Sequence, residues 1–116
     1  MDDSEATVSM MKDLVREFCE ERDWDRFHNP KDLAISVSLE AAELLECFQW
    51  SGADLECAER VPRMEEELAD VMIYCVMLAD RLGVDPVEAM RRKLEQNARK
   101  YPVGKARGRS SKYTEL

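Results

Sequence analysis

Apolar residues recur at spacings of three and four along most of the chain, and nowhere alternate one by one as a half-buried strand requires. Four helices follow from that period. The first is expected from about Glu5 to Arg22, on the stripe Val8, Met11, Leu14, Val15, Phe18 and Cys19, with Asp2 or Ser4 as cap. Asn29 and Pro30 open the second, an N-cap followed by a residue that has no N–H to leave unpaired; it runs to about Trp50 and ends at Gly52. The third runs from Arg60 or Val61, with Pro62 in its first turn, to Leu82, and Gly83 stops it. The fourth starts at Asp85-Pro86-Val87-Glu88, an acidic cap with a carboxylate in the capping-box position, and reaches Lys100 or Tyr101. Pro102 and Gly104 break the pattern. The fold class expected is all-α: an antiparallel bundle of about four helices over residues 1–101, followed by a basic, extended tail over 102–116.

Composition agrees. The 116 residues suit one domain, 36% are charged and 45% hydrophobic, and Gly and Pro number only four each, too few for a turn-rich β fold. The net charge of −8 speaks against a nucleic-acid or anionic-membrane partner. It is unevenly spread: residues 91–116 carry nine Lys or Arg against Glu95 and Glu115, a net +7, so the first ninety residues carry −15. An acidic body with a basic end suits a ligand that is both metal-loaded and polyanionic; a solvated basic tail gives the same count. Cys19, Cys47 and Cys75 fall at apolar helical positions, and with Cys57 they form no CxxC pair. They read as small core residues in a reducing cytoplasm. No apolar run reaches the length of a membrane span, and no targeting pattern marks the N-terminus.

The informative residues are acids in unexpected places. On a helical wheel of the second helix, Leu33, Val37, Leu44 and Cys47 share a face with Glu40 in its middle and Glu43 at its border. The opposite side (Ile35, Leu39, Ala42) is also apolar, so this helix is expected to be buried nearly all round. In the third helix, Val71, Tyr74 and Leu78 share their face with Glu67, and Asp70 lies three residues on. E-x-x-E facing E-x-x-D would point four carboxylates into one gap. Unpaired charges there cost several kcal/mol each, in order of magnitude, so cations must neutralise them or they must take up protons. An all-oxygen set favours magnesium, with manganese possible, over zinc, and magnesium characteristically shares its coordination with substrate phosphates. Solvated surface pairs are the other explanation of such spacing, and Glu20, Glu21, Glu59, Glu65 and Glu66 fit it. A di-iron carboxylate bundle would want Glu-x-x-His, and the only histidine, His28, lies outside both pairs. A helical interaction module with a structural divalent-metal site also remains compatible with the pattern.

The run Glu40-Ala-Ala-Glu43-Leu-Leu-Glu46, followed by Glu67-Leu-Ala-Asp70-Val, resembles the MazG-like nucleoside triphosphate pyrophosphohydrolases. The stretches Glu21-Arg-Asp-Trp24-Asp-Arg-Phe27-His28, Phe48-Gln-Trp50, Lys93-Leu-Glu-Gln-Asn97-Ala-Arg-Lys-Tyr101-Pro102 and Lys112-Tyr-Thr-Glu-Leu116 are similar to the dCTP pyrophosphatase branch. The resemblance implies hydrolysis of a (deoxy)nucleoside triphosphate, dCTP or a related or modified dNTP, to monophosphate and pyrophosphate. It implies Glu40, Glu43, Glu67 and Asp70 as magnesium ligands and catalytic acids, and Trp24 and Trp50 as walls of the base pocket. It places Tyr74 near sugar and base, and Lys93, Asn97 and Tyr101 as polar contacts to the substrate. It further implies a homo-oligomer, a tetramer in this branch with a dimer possible, and sites built partly at subunit interfaces. Read without the resemblance, Trp24 and Trp50 are equally core or interface aromatics, Tyr101 a packing residue, and Lys93 and Asn97 two surface residues on one helix face.

Overall fold

Thr7 opens the first helix. Its hydroxyl accepts from the Met10 N–H at 3.1 Å, while its own N–H points to the Met10 sulfur, so α1 spans Val8–Glu21. The cap therefore lies three residues beyond Ser4; Asp2 and Ser4 instead close a small turn upstream through the Asp2 carboxylate. The computed structural model describes Met1–Leu116, and every regular element in it is helical. A short 3-10 turn at Asp25–Phe27 leads to Asn29, whose side chain accepts from the Asp32 N–H at 2.9 Å and caps α2, Pro30–Glu46.

Helix α2 stops four residues short of the expected end. From Cys47 onward the amides bond three residues back instead of four, Cys47 to Leu44, Phe48 to Leu45 and Ser51 to Phe48, so the last turn tightens and unwinds. The connection that follows is organised by Asp54, whose carboxylate accepts from the Glu56 and Cys57 amides, and by Arg60, which donates to the Cys47 carbonyl at 3.0 Å. Helix α3 spans Val61–Leu82, with Pro62 in its first turn. Gly83 ends it at φ +67°, a left-handed angle in which a Cβ would strain the backbone.

The chain divides into two compact units, Met1–Val84 and Asp85–Leu116. In the first, α3 packs mainly on α2 and secondarily on α1. Arg16 of α1 forks onto Asp80 of α3 at 2.7 and 3.2 Å, and Lys12 donates to the Val84 carbonyl at 2.9 Å. Leu33 and Cys47 are fully buried, and Cys19 and Cys57 nearly so. Cys75, expected in the core, is exposed, because neither α1 nor α2 covers its side of α3. Helix α2 is likewise not covered all round. Its Leu33–Val37–Leu44–Cys47 face is turned inward, but Ile35 and Leu39 stand about half exposed or more, since three helices leave the far side of α2 without a neighbour.

In the second unit, Asp85 caps α4, Pro86–Lys100, by accepting from the Glu88 amide at 3.0 Å. Glu88 gathers Arg91 and Arg92 on that helix. The segment 102–116, expected to be extended, contains a one-turn helix α5, Val103–Ala106, and a 3-10 turn at Tyr113–Glu115. Pro102 supplies the fixed N-terminal φ that starts the former. Tyr113 meets Tyr101 edge to face at 6.1 Å, with the Lys100 ammonium over its ring.

Candidate functional site

Spacings of three within α2 and within α3 place Glu40 beside Glu43 and Glu67 beside Asp70. The packing of α3 on α2 then brings the pairs together: one oxygen from each of the four carboxylates lies within 4.8 Å of the other three. Glu40 and Glu67 sit deeper, and Glu43 and Asp70 line the rim. Glu40 Oε2 and Glu67 Oε2 are fully buried and have no hydrogen-bond partner. Arg63 is the one cation in ion-pair reach, at 3.8 Å from Glu67 and itself shared with Glu46 at 3.3 Å. One shared guanidinium does not balance four carboxylates.

The acids feel one another. The Glu43 carboxyl is pushed up from its ordinary range, chiefly by its contact with the Glu40 carboxyl, while its contact with Glu67 acts the other way. Glu67 is pushed up first by desolvation and next by Glu43, with Arg63 opposing. Protons are thus drawn into the cluster whenever nothing else offsets its charge. A hard divalent cation fits the same need better. It takes all-oxygen donors, and it supplies a partner for the two orphaned oxygens.

A cavity of about 250 Å³ adjoins the cluster, with Asp70 in its wall. Trp24, Phe18, Ile73 and Tyr74 form its apolar sides. Trp24 stands edge-on to Phe18, centroids 5.7 Å apart, so one ring braces the other. Burial, and then the charges of Glu40 and Asp70, raise the Tyr74 phenol above its ordinary value, so it stays a neutral donor beside the acids. The apolar period places Phe18 on the α1 stripe and gives Ile73 no role; α1 and α3 leave both open here. The signal that could have found them is register, since Phe18 lies one residue before Cys19 on α1 and Ile73 three after Asp70 on α3.

Trp50 lies in the turn after α2, 82% exposed and outside this cavity. Lys93, Asn97 and Tyr101 belong to the second unit, on and just after α4, where Lys93 Nζ donates to Gln96 at 3.0 Å.

Residues 35–116 match the family model described as MazG-like. The chain belongs to the MazG-like family. This MazG-like chain is also similar, over 97% of its length, to dCTP pyrophosphatase 1 of Bos taurus at 40% identity and of Homo sapiens at 41%; it covers 70% and 69% of those proteins. Among solved structures it is similar to a pyrophosphatase from Archaeoglobus fulgidus, at 44% identity and a TM-score of 0.77, over 88% of this chain and 98% of that one. The all-α architecture of the MazG-like chain is shared with that structure. No helix in it is long and apolar enough to cross a membrane.

Proposed function

We propose that this MazG-like chain is a nucleoside triphosphate pyrophosphohydrolase acting on deoxynucleotides, dCTP or a related or modified dNTP first among them. The observation that carries the reading is the convergence of four carboxylates with two buried, unpartnered oxygens beside an aromatic cavity. A purely structural role for the acids has no account of that cavity, and relatives named dCTP pyrophosphatase 1 favour the enzyme over a non-catalytic module.

Glu40, Glu43, Glu67 and Asp70 would hold a divalent cation, magnesium first and manganese as a substitute. When bound, such an ion offsets triphosphate charge and makes water a better nucleophile. A carboxylate of the cluster takes the proton of the attacking water. Water adds to the α-phosphorus, the bond from that phosphorus to its bridging oxygen breaks, and pyrophosphate leaves with the oxygen. The chain's part is mainly to position and to balance charge. Trp24 flanks the base, and Tyr74, one turn beyond Asp70, donates toward the sugar or base. Lys93, Asn97 and Tyr101 are assigned to the substrate by the family pattern; Lys93, with Arg99 further along α4, would steady the leaving pyrophosphate.

Trp50 joins the base pocket in this reading through a second copy of the chain. Its exposure, and the open apolar side of α2, support a homo-oligomer, and the family resemblance puts a tetramer before a dimer. Four free cysteines support a reducing cytoplasmic setting.

The test is a panel of canonical and base-modified triphosphates incubated with and without magnesium, with products separated. Monophosphate and pyrophosphate in equal amounts, dependent on the metal, are expected. Orthophosphate as the first product would make the protein a phosphatase and end this reading.

A further inference from the structure

A second ligand set lies elsewhere on the first unit. Cys19 Sγ, an Asp25 carboxylate oxygen and a His28 ring nitrogen all lie within 4.8 Å of one another. Cys19 is in the last turn of α1 and 3% exposed, while Asp25 opens the 3-10 turn that follows, His28 closes it, and both are half-buried. Backbone bonds hold the three together: Trp24 N–H to the Cys19 carbonyl at 3.0 Å, and His28 N–H to the Asp25 carbonyl at 3.1 Å. We propose that Cys19, Asp25 and His28 form a binding site for zinc, distinct from the four-carboxylate cluster.

The chemistry selects the ion. A thiolate donor disfavours magnesium and calcium, and a mixed sulfur, nitrogen and oxygen set is of the type zinc takes with three protein ligands and one open position. Tetrahedral zinc holds its donors about 3.5 Å apart, so the set closes with side-chain movement of about an ångström. Space is present: the three residues line a cavity of about 50 Å³, and a water occupies about 30 Å³ of liquid. Four charged groups face the same cavity. Arg16 is committed to Asp80, Lys12 donates to the Val84 carbonyl, and Arg81 reaches the Asp25 carbonyl at 3.4 Å, so none is spent on the Asp25 carboxylate. Burial, and then the Asp25 charge, hold the Cys19 thiol above its ordinary value, with Arg22 opposing, so the proton leaves as the ion binds; the neighbouring cations lower the affinity for the ion itself. Cys19 and His28 also line the Trp24–Tyr74 cavity, so zinc sits in the wall of that pocket.

Cobalt(II) titrated into the reduced full chain tests the site by absorption, without any turnover. With excess magnesium present to fill the carboxylate cluster, a thiolate-to-cobalt band in the near ultraviolet, saturating at one cobalt per chain and bleached by zinc, is expected. Cys19→Ser should abolish it. His28→Ala, at a half-buried position that tolerates truncation, should weaken cobalt affinity by more than about tenfold, beyond what loss of an outer-shell partner typically costs. Glu43→Gln, aimed at the other cluster, should leave the band in place. No band in the parent, a band that survives Cys19→Ser, or parental affinity in His28→Ala would each overturn the site.

Discussion

Glu67 answers two demands that conflict. Its Oε2 is buried without a partner, and its carboxyl is pushed up by desolvation and by Glu43, so in the absence of a cation the charge works against folding. Glu67→Gln keeps the shape and removes the charge. It should raise Tm measured in a chelator by a few degrees, at roughly 4 °C per kcal/mol for a domain of this size, and remove the Tm gain that magnesium gives the parent. Equal magnesium stabilisation in parent and variant would show that the cluster does not hold the ion. Glu43→Ala and Asp70→Ala, at the rim, should abolish pyrophosphate release from dCTP with the helical circular dichroism unchanged. Trp24→Ala should weaken nucleotide binding by about tenfold or more, since stacking on a base is worth about 1–3 kcal/mol, and should leave magnesium affinity intact. Titration calorimetry with each ligand separates the two effects.

At the scale of elements, α1 is fastened to α3 by the Arg16–Asp80 fork. The Asp80 carboxyl is held below its ordinary value, first by its hydrogen bond from Arg16 and also by that charge, against the cost of burial. A group depressed on folding stabilises above its unfolded value, near 3.9 for Asp, and that contribution is lost as pH falls through the lower folded value. Asp80→Asn should therefore cost about 1 kcal/mol at pH 7, with discount for an aspartate still about a third open to solvent, and nothing at the acid end of the profile. Urea midpoints of parent and variant followed from pH 7 downward check this: the gap should hold until the unfolded value of about 3.9 and narrow only below it. The end of α3 is set by backbone alone. Gly83→Ala meets no neighbour within 4 Å, so any loss reports the left-handed φ rather than a clash, and about 1 kcal/mol is expected.

On the scale of the whole molecule, large apolar side chains remain open in numbers unusual for a lone chain of 13.4 kDa: Leu39 is 60% exposed, and Ile35, Leu45 and Trp50 accompany it. If these faces are covered by further copies, sedimentation should show a species several times the chain mass. Leu39→Glu, a good helix former that places a charge on that face, should shift it toward monomer; a parent that sediments at 13.4 kDa at all concentrations would rule the assembly out.

Much of this was legible in the residues. Asn29-Pro30, Asp85-Pro86 and Gly83 marked helix ends correctly, because capping is local chemistry fixed by a few neighbours. Glu40–Glu43 and Glu67–Asp70 were legible as pairs, because a spacing of three guarantees adjacency on a helix. The early end of α2, the exposure of Cys75 and the open side of α2 were not, since each depends on which helix lies opposite and on where none does. The sequence alone determined the helical period, the caps and the pairing of acids within each helix, all short-range consequences of 3.6 residues per turn. Tertiary structure alone decided that the two pairs meet, that Phe18 and Ile73 join Trp24 and Tyr74 in one cavity, and that Cys19 finds Asp25 and His28. Those contacts depend on the relative register of α1, α2 and α3 and the path of the turn after α1, which no local periodicity encodes.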